Sequence, residues 1–288
     1  MIAHVAEASE NSGRVVLQLT AHRQAAPGAL AAAVCVARSF NAGLESLVSE
    51  DPQLIDFARF SFARETTANG DVLAAAPADD FEASVQHLAV SLHGEVAAAA
   101  LGAGVPLQCR TLRDDPTSAI AAACLENGPW NVAVLAQTVS SQTETHIAEL
   151  FEAIQDVTGI VVVGEGLCHT AGPVVAIVEQ MSHVQPMLRA AERLAAGSAA
   201  DVHLVVFGGN GDETAWMEGQ VRLLLGGTSE PDLILSPETY ASPTMLAGFL
   251  QKIGAGFVIA KLGGVLLPMD GGLDVFSNCH DGPLFLVR

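Results

Sequence analysis

Positive charge is scarce in this chain: 13 Lys and Arg stand against 32 Asp and Glu in 288 residues, a formal net charge of −19. Such a field repels phosphate backbones and anionic lipid surfaces, which excludes nucleic acid as the expected partner. No apolar run approaches the ~20 residues that cross a bilayer, so no membrane insertion is expected. The first fifteen residues carry His4, Glu7 and Glu10 but no basic stretch leading into an apolar one. A secretory signal is therefore not expected, and the cytoplasm is the expected location. The cysteines, Cys35, Cys109, Cys124, Cys168 and Cys279, are odd in number and widely spaced, and no C-x-x-C occurs, so neither a disulfide framework nor a zinc ribbon is implied. Also missing are G-x-x-x-x-G-K-[ST], G-x-S-x-G and H-E-x-x-H, which removes the commonest phosphate-loop, hydrolase-elbow and metalloprotease readings.

What the chain has in quantity is apolar side chain: half of the residues are hydrophobic and 16% are charged. At about 150 residues per domain, that length and composition suit two globular units. After a polar tail, 1–13, the run RVVLQLT from Arg14 to Thr20 is β-branched and leucine-rich, as expected of a strand buried on both faces of a parallel sheet. Pro27 sits at a helix start ahead of ALAAAVCVARSF, and Gly43 opens the apolar segment LESLVSE. In LIDFARFSF, the residues Leu54, Phe57, Phe60 and Phe62 are expected to anchor a short helix and loop over the sheet. Asp79 and Asp80 are expected to cap a long helix that reaches about Leu101 and stops at Gly102 and Gly104. A strand at Leu107–Leu112, a helix opened by Asp115-Pro116-Thr117, a strand at Asn131–Ala136, a helix over His146–Gln155 and a strand at Ile160–Val163 follow in order.

The glycine-rich stretch 164–172 holds no periodic pattern, and the chain restarts at Pro173 with PVVAIVE. The expected organisation is one α/β unit over 14–164, a linker at 165–172 and a second, shorter unit over 173–288. The second unit repeats the opening order: strands at Val174–Val178, Val202–Phe207 and Leu233–Leu235, and helices at Val184–Ala196, Glu213–Leu225 and Thr244–Ile253. In this alignment VVLQLT faces VVAIVE and AVLAQTVSSQ faces LILSPETYAS, while VLLPM and PLFLVR near the end find no place.

Two segments, VARSFNAGLESLVSEDPQLIDFARFSFARET and AAAALGAGVPLQCRTLRDDPTSAIAAACLENGPWNVAVLA, resemble universal stress proteins of the tandem two-domain type. The resemblance implies two tandem doubly wound parallel-sheet α/β domains of the adenine nucleotide alpha hydrolase-like class, each with strand order 3-2-1-4-5. It also implies pairing through the edge of the fifth strand, hence a homodimer or an internal pseudo-dimer. Many members of that family bind ATP through an acid at the end of the first strand and a G-x2-G-x9-G-[ST] run after the fourth. Glycines there let backbone N–H groups close on phosphates.

This chain departs from that pattern. The loop QTVSSQTETH, 137–146, contains no glycine, and Gln18 and Thr20 stand where the acid is common. In SPETYASP, Glu238 would oppose a phosphate, and Pro237 and Pro243 remove N–H donors. Glu179 keeps a carboxylate at the end of the first strand of the second unit. The expectation is a non-catalytic protein that works through protein association or regulation, with no cofactor. The alternative is an adenine nucleotide, ATP, held by an atypical first-unit loop through Gln18, Thr20, Ser140, Ser141 and Thr143. Against that alternative, Ser and Thr ahead of a helix are ordinary capping residues. The dipeptides Cys168-His169 and Cys279-His280 lack metal-ligand spacing, so no metal is expected. His87, His93 and His146, placed on helices, are read as solvated or hydrogen-bonded structural residues.

Overall fold

The computed structural model describes residues 13–21, 27–60, 62–66, 69–73, 77–126, 130–136, 147–152, 157–164, 169–207, 211–226, 232–235, 243–268, 273 and 282–287. Its elements alternate strand and helix in chain order. They are β1 (Arg14–Thr20), α1 (Pro27–Ser39), β2 (Gly43–Ser49), α2 (Pro52–Ala58), the two-residue strands β3 (Glu65–Thr66) and β4 (Val72–Leu73), α3 (Ala78–Ala103), β5 (Leu107–Leu112), α4 (Pro116–Glu126), β6 (Asn131–Ala136), helical residues 147–152 (α5) and β7 (Val157–Val163). After these come β8 (Val174–Val178), a 3-10 turn (Met181–His183), α6 (Val184–Ser198), β9 (Val202–Val206), α7 (Gly211–Leu225), β10 (Asp232–Leu235), α8 (Pro243–Lys252), β11 (Phe257–Lys261) and β12 (Leu284–Val287).

Ten strands form one sheet in the order β10-β9-β8-β11-β12-β7-β6-β1-β2-β5. Counted within each half, both runs read 3-2-1-4-5. Every pairing in this sheet is parallel except that of the two fifth strands, β7 and β12, which meet antiparallel with Val161 opposite Phe285. The halves are thus joined edge to edge, and their strand C-termini point in opposite directions.

Strand alternation feeds two layers of core. Val15, Leu17 and Leu19 belong to the layer that α1, α3, α6 and α7 cover, and Val16 to the layer that α4, α5 and α8 cover on the other face. Both layers run across the β7–β12 junction, and α1 packs on α6 over it. The junction is aromatic as well. Phe40 lies 5.8 Å from the ring of Trp130 and 6.3 Å from that of Phe285, with the Arg193 guanidinium 5.8 Å above its own ring. Offset and edge-on ring pairs of this kind add to the burial of the rings themselves.

Local chemistry places the helix ends. The Asp115 carboxylate accepts the Thr117 and Ser118 N–H groups, both at 3.1 Å, and Asp51 accepts that of Gln53 at 2.8 Å, each just before a proline at the first helical position. Gly104 ends α3 in the left-handed region at φ 68°.

Four sequence expectations are corrected. Asp79 and Asp80 do not cap α3: the helix begins at Ala78 after Pro77, so both carboxylates lie inside the first turn, where they complement the helix dipole. Phe57, Phe60 and Phe62 are not anchors; they are 49%, 52% and 66% exposed and cluster outside the core, Phe60 and Phe62 stacked 5.1 Å apart and Phe57 edge-on to both. The strand expected from Ile160 begins at Val157. The counterpart of β6 is β11 rather than the LIL run, because β11 is the strand beside β8 and β10 lies at the sheet's outer edge. PLFLVR then supplies β12, the fifth strand of its half.

Candidate functional site at the two strand switch points

In an open α/β sheet, ligand sites form beyond the strand C-termini where the order of connection reverses. Here those points lie between β1 and β6 and between β8 and β11. The antiparallel junction turns them to opposite ends of the sheet.

At the first point Gln18 is 2% exposed, in register with Leu47 on one side and Leu135 on the other. Thr20 is half-buried opposite Ser49, whose hydroxyl donates to the Leu19 carbonyl. Ser140, Ser141 and Thr143 lie outside the described residues. Beyond the strand ends, Ala21, Ser49, Asp51, Leu54, Ile55 and Val85 line a small, partly open pocket of about 10 Å³, room for at most one water. Leu54 and Ile55 come from α2 and Val85 from α3, so these helices supply the apolar side of that pocket.

The charge beside that cleft is negative and already paired. Arg113, just past β5, donates to Glu50 at 3.1 Å and to Glu82 at 2.6 Å. The hydrogen bond from Arg113 holds the Glu82 carboxyl below its ordinary range, with the guanidinium's charge adding to it. Farther down the sheet, Arg14 reaches both the Glu45 carboxylate and the Ala123 carbonyl, a buried tie among β1, β2 and α4. His93 of α3 joins Ser46 Oγ at 2.8 Å through Nδ1 and Thr111 Oγ1 at 3.0 Å through Nε2, the hydrogen-bonded structural role expected of it.

The second switch point is built differently. Glu179 follows β8 directly, and Gly263 and Gly264 follow β11. The Val265 N–H donates to Glu179 Oε2 at 2.6 Å and the Leu266 N–H to Glu179 Oε1 at 2.9 Å, so two successive amides hold one carboxylate, one per oxygen. Gly263 has φ +78°, and its N–H closes the turn onto the Leu267 carbonyl at 2.8 Å. A side chain at Gly264 would place its Cβ 2.1 Å from Glu179 Oε2. Leu266 and Leu267 are fully buried and pin the turn to the core. Glu179 and Lys261 both act on His183: burial and the lysine's charge push its pKa down, against a smaller upward pull from the carboxylate.

Sequence reasoning placed Glu179 but missed its partners. The available signal was Gly263-Gly264 shortly after the apolar run FVIA, hidden by matching the fourth strand one element too early. Of the earlier fourth-strand loop, 236–242 lie outside the described residues, and Pro243 opens α8. Cys168, Cys279, His146 and His280 also lie outside. Among the described residues no group of three or more His, Cys, Asp and Glu side chains could hold a metal ion, and no helix is long and apolar enough to cross a membrane.

No protein-family model matches the chain, and no curated protein matches it significantly by sequence. Solved structures do match over nearly its whole length. A universal stress protein from Archaeoglobus fulgidus DSM 4304 superposes with a TM-score of 0.60 at 14% identity, covering 95% of this chain and 96% of that one. A putative universal stress protein from Pseudomonas aeruginosa UCBPP-PA14 gives 0.56 at 14% identity, with 97% and 93% covered. The cytoplasmic domain of a prokaryotic cation chloride cotransporter gives 0.54 at 9% identity, with 96% and 95% covered. At such identities the likeness establishes the fold alone: a largely parallel, doubly wound α/β architecture of the universal-stress-protein kind.

Proposed function

We infer that this chain is a tandem universal-stress-type protein that performs no chemistry of its own. It serves a stress response in the cytoplasm through protein association or regulation, and it does not hold ATP in the family's usual way. The observation that carries this reading is the bond of Glu179 to the Val265 and Leu266 amides, because the donors after the fourth strand are turned onto a carboxylate of the chain itself. In the first half, the absence of glycine from 137–146 and the burial of Gln18 support the same conclusion. The charge of −19 works against any polyanionic ligand. The β7–β12 pairing supports an internal pseudo-dimer, which leaves β5 and β10 as the outer edges of the sheet.

Thermal unfolding with and without ATP and Mg²⁺ tests the reading. A ligand that binds only the folded state stabilises it by about 1.4 kcal/mol at tenfold excess over Kd. The expected result is an unchanged melting temperature at micromolar ATP. A reproducible rise would overturn the reading and favour the alternative, a nucleotide-binding protein with an atypical first-unit loop.

A further inference from the structure

Among the described residues β5 pairs with one strand only, β2. The Leu44 N–H donates to the Pro106 carbonyl and the Glu50 N–H to that of Leu112, so the even-numbered residues of this regular strand turn their backbone groups to β2. Leu107, Cys109 and Thr111 therefore direct their N–H and C=O groups to the bare edge. Natural sheets block such an edge with proline, lysine or a bulge, and β5 has none of these, its single charge being Arg110. Alongside the edge lies α3. Its His93 reaches Thr111 Oγ1, and Val90, Ala97 and Leu101, three residues before it and four and eight after it, share that side of the helix. Val90 is 71% exposed and Leu101 84%.

We propose that this edge pairs antiparallel with the β5 edge of a second copy of the chain, about a two-fold axis at Cys109, with the two α3 helices flanking the joint on one face. The chain already joins its own halves by this device: β7 meets β12 antiparallel, and α1 packs on α6 above them. Charge favours a second copy at the same place. Proteins of charge −19 repel one another and meet most readily where acid is sparse. From Ala83 to Arg113 there is one acid, Glu95, against Arg110 and Arg113, and α1 at the internal seam likewise has none.

The pleat sets the register. Helices on one face require an axis perpendicular to the sheet, so directly opposed residues must point to the same face, which leaves Cys109 or Arg110 as the central residue of this six-residue strand. An axis at Arg110 would set two guanidinium groups against each other. At Cys109, the two Cys109 residues exchange N–H···O=C bonds, Leu107 lies opposite Thr111 of the second copy, and Gln108 lies opposite Arg110 of the second copy. The inference deepens the reading of a protein that works through association and rests on it, since it names the partner.

The test uses the full chain in sedimentation equilibrium at 0.5 M NaCl, where screening relieves the repulsion between copies. The wild type is expected to dimerise, and a short bismaleimide should join Cys109 of one copy to Cys109 of the other, each thiol adding across one maleimide double bond, as read by peptide mass spectrometry. Cys109→Pro removes an N–H that β2 does not use, so β5 keeps its place in the sheet. It also removes both bonds at the axis and should raise the dimer dissociation constant about thirtyfold or more. Leu101→Glu, at a solvated position, should raise it about tenfold or more by bringing like charges together. Should Cys109→Pro fail to fold, Leu101→Glu and the cross-link decide. A monomeric wild type, which would leave the edge to a strand of another protein, overturns the proposal. So does a dimer that gives no adduct between two Cys109 residues, or one that the folded variants leave intact. A monomer whose melting temperature ATP does not move removes this interface alone, and a dimer stabilised by ATP removes the functional reading alone.

Discussion

Phe285 of β12 lies directly over Gly159 of β7, so close that a Cβ on the glycine would sit 2.3 Å from the ring's Cε2 and 2.7 Å from the Leu286 carbonyl oxygen. The one antiparallel seam in the large sheet thus depends on a missing side chain. Gly159→Ala should destabilise the protein by about 1–3 kcal/mol through overpacking, because both the ring and a strand backbone would have to move. Gly94→Ala in α3, where an added Cβ meets nothing within 4 Å, should instead stabilise by about 0.8–1 kcal/mol. Urea unfolding of the two variants beside the wild type checks both signs.

The buried tie between Arg14 and Glu45 gives a second expectation. Arg14 is 8% exposed and Glu45 is 2% exposed, so removing one partner strands a charge in the core of the first half. Arg14→Met or Glu45→Leu alone should cost about 3–5 kcal/mol. The double variant should recover much of that loss, because no lone charge remains. A double-mutant cycle by chemical denaturation reads the coupling, and additive single losses would show that the pair is not coupled.

His93 makes stability depend on pH. Burial against Ser46 and Thr111 lowers its pKa in the folded protein below the ordinary value of 6.5. The unfolded chain therefore binds the proton more readily, and acidification favours unfolding. The contribution is fully present above about pH 6.5 and is lost progressively as pH falls below it toward the folded value. His93→Gln should flatten the decline in melting temperature measured from pH 7.5 down to pH 5. Some slope should remain, because the pKa of His183 is lowered as well, mainly by its own burial.

Thiol reactivity should follow burial. Cys124, on the buried face of α4, has its pKa pushed up to about 12 by desolvation, whereas Cys109 on the edge strand β5 is exposed and shifted less. Only thiolate reacts with an alkylating reagent. Brief iodoacetamide treatment of native protein should mark Cys109 ahead of Cys124, and Cys124 should be modified only once denaturant is present. Peptide mass spectrometry gives the order directly.

Much of the architecture was legible in the sequence because parallel strands buried on both faces are written as continuous apolar runs. RVVLQLT, NVAVLA and VVAIV needed no context to be recognised, and Asp115-Pro116 and Gly104 mark helix ends by local chemistry. The misplaced fourth strand has a plain cause. FVIA and LIL are both apolar, and nothing local says which of them lies beside β8. Choosing the wrong one moved the fourth strand, and with it the loop that meets Glu179. The phenylalanines of LIDFARFSF failed for the opposite reason, since hydrophobic character does not tell a core position from a surface stack.

By itself, the sequence determined the alternation of strands and helices and the strongly negative charge, because each is a property of short windows or of simple sums. Tertiary structure alone decided the strand order, the antiparallel meeting of β7 with β12, and the capture of the Val265 and Leu266 amides by Glu179. The last two join residues more than eighty positions apart. They depend on which surfaces pack together, and no local preference of the chain records that.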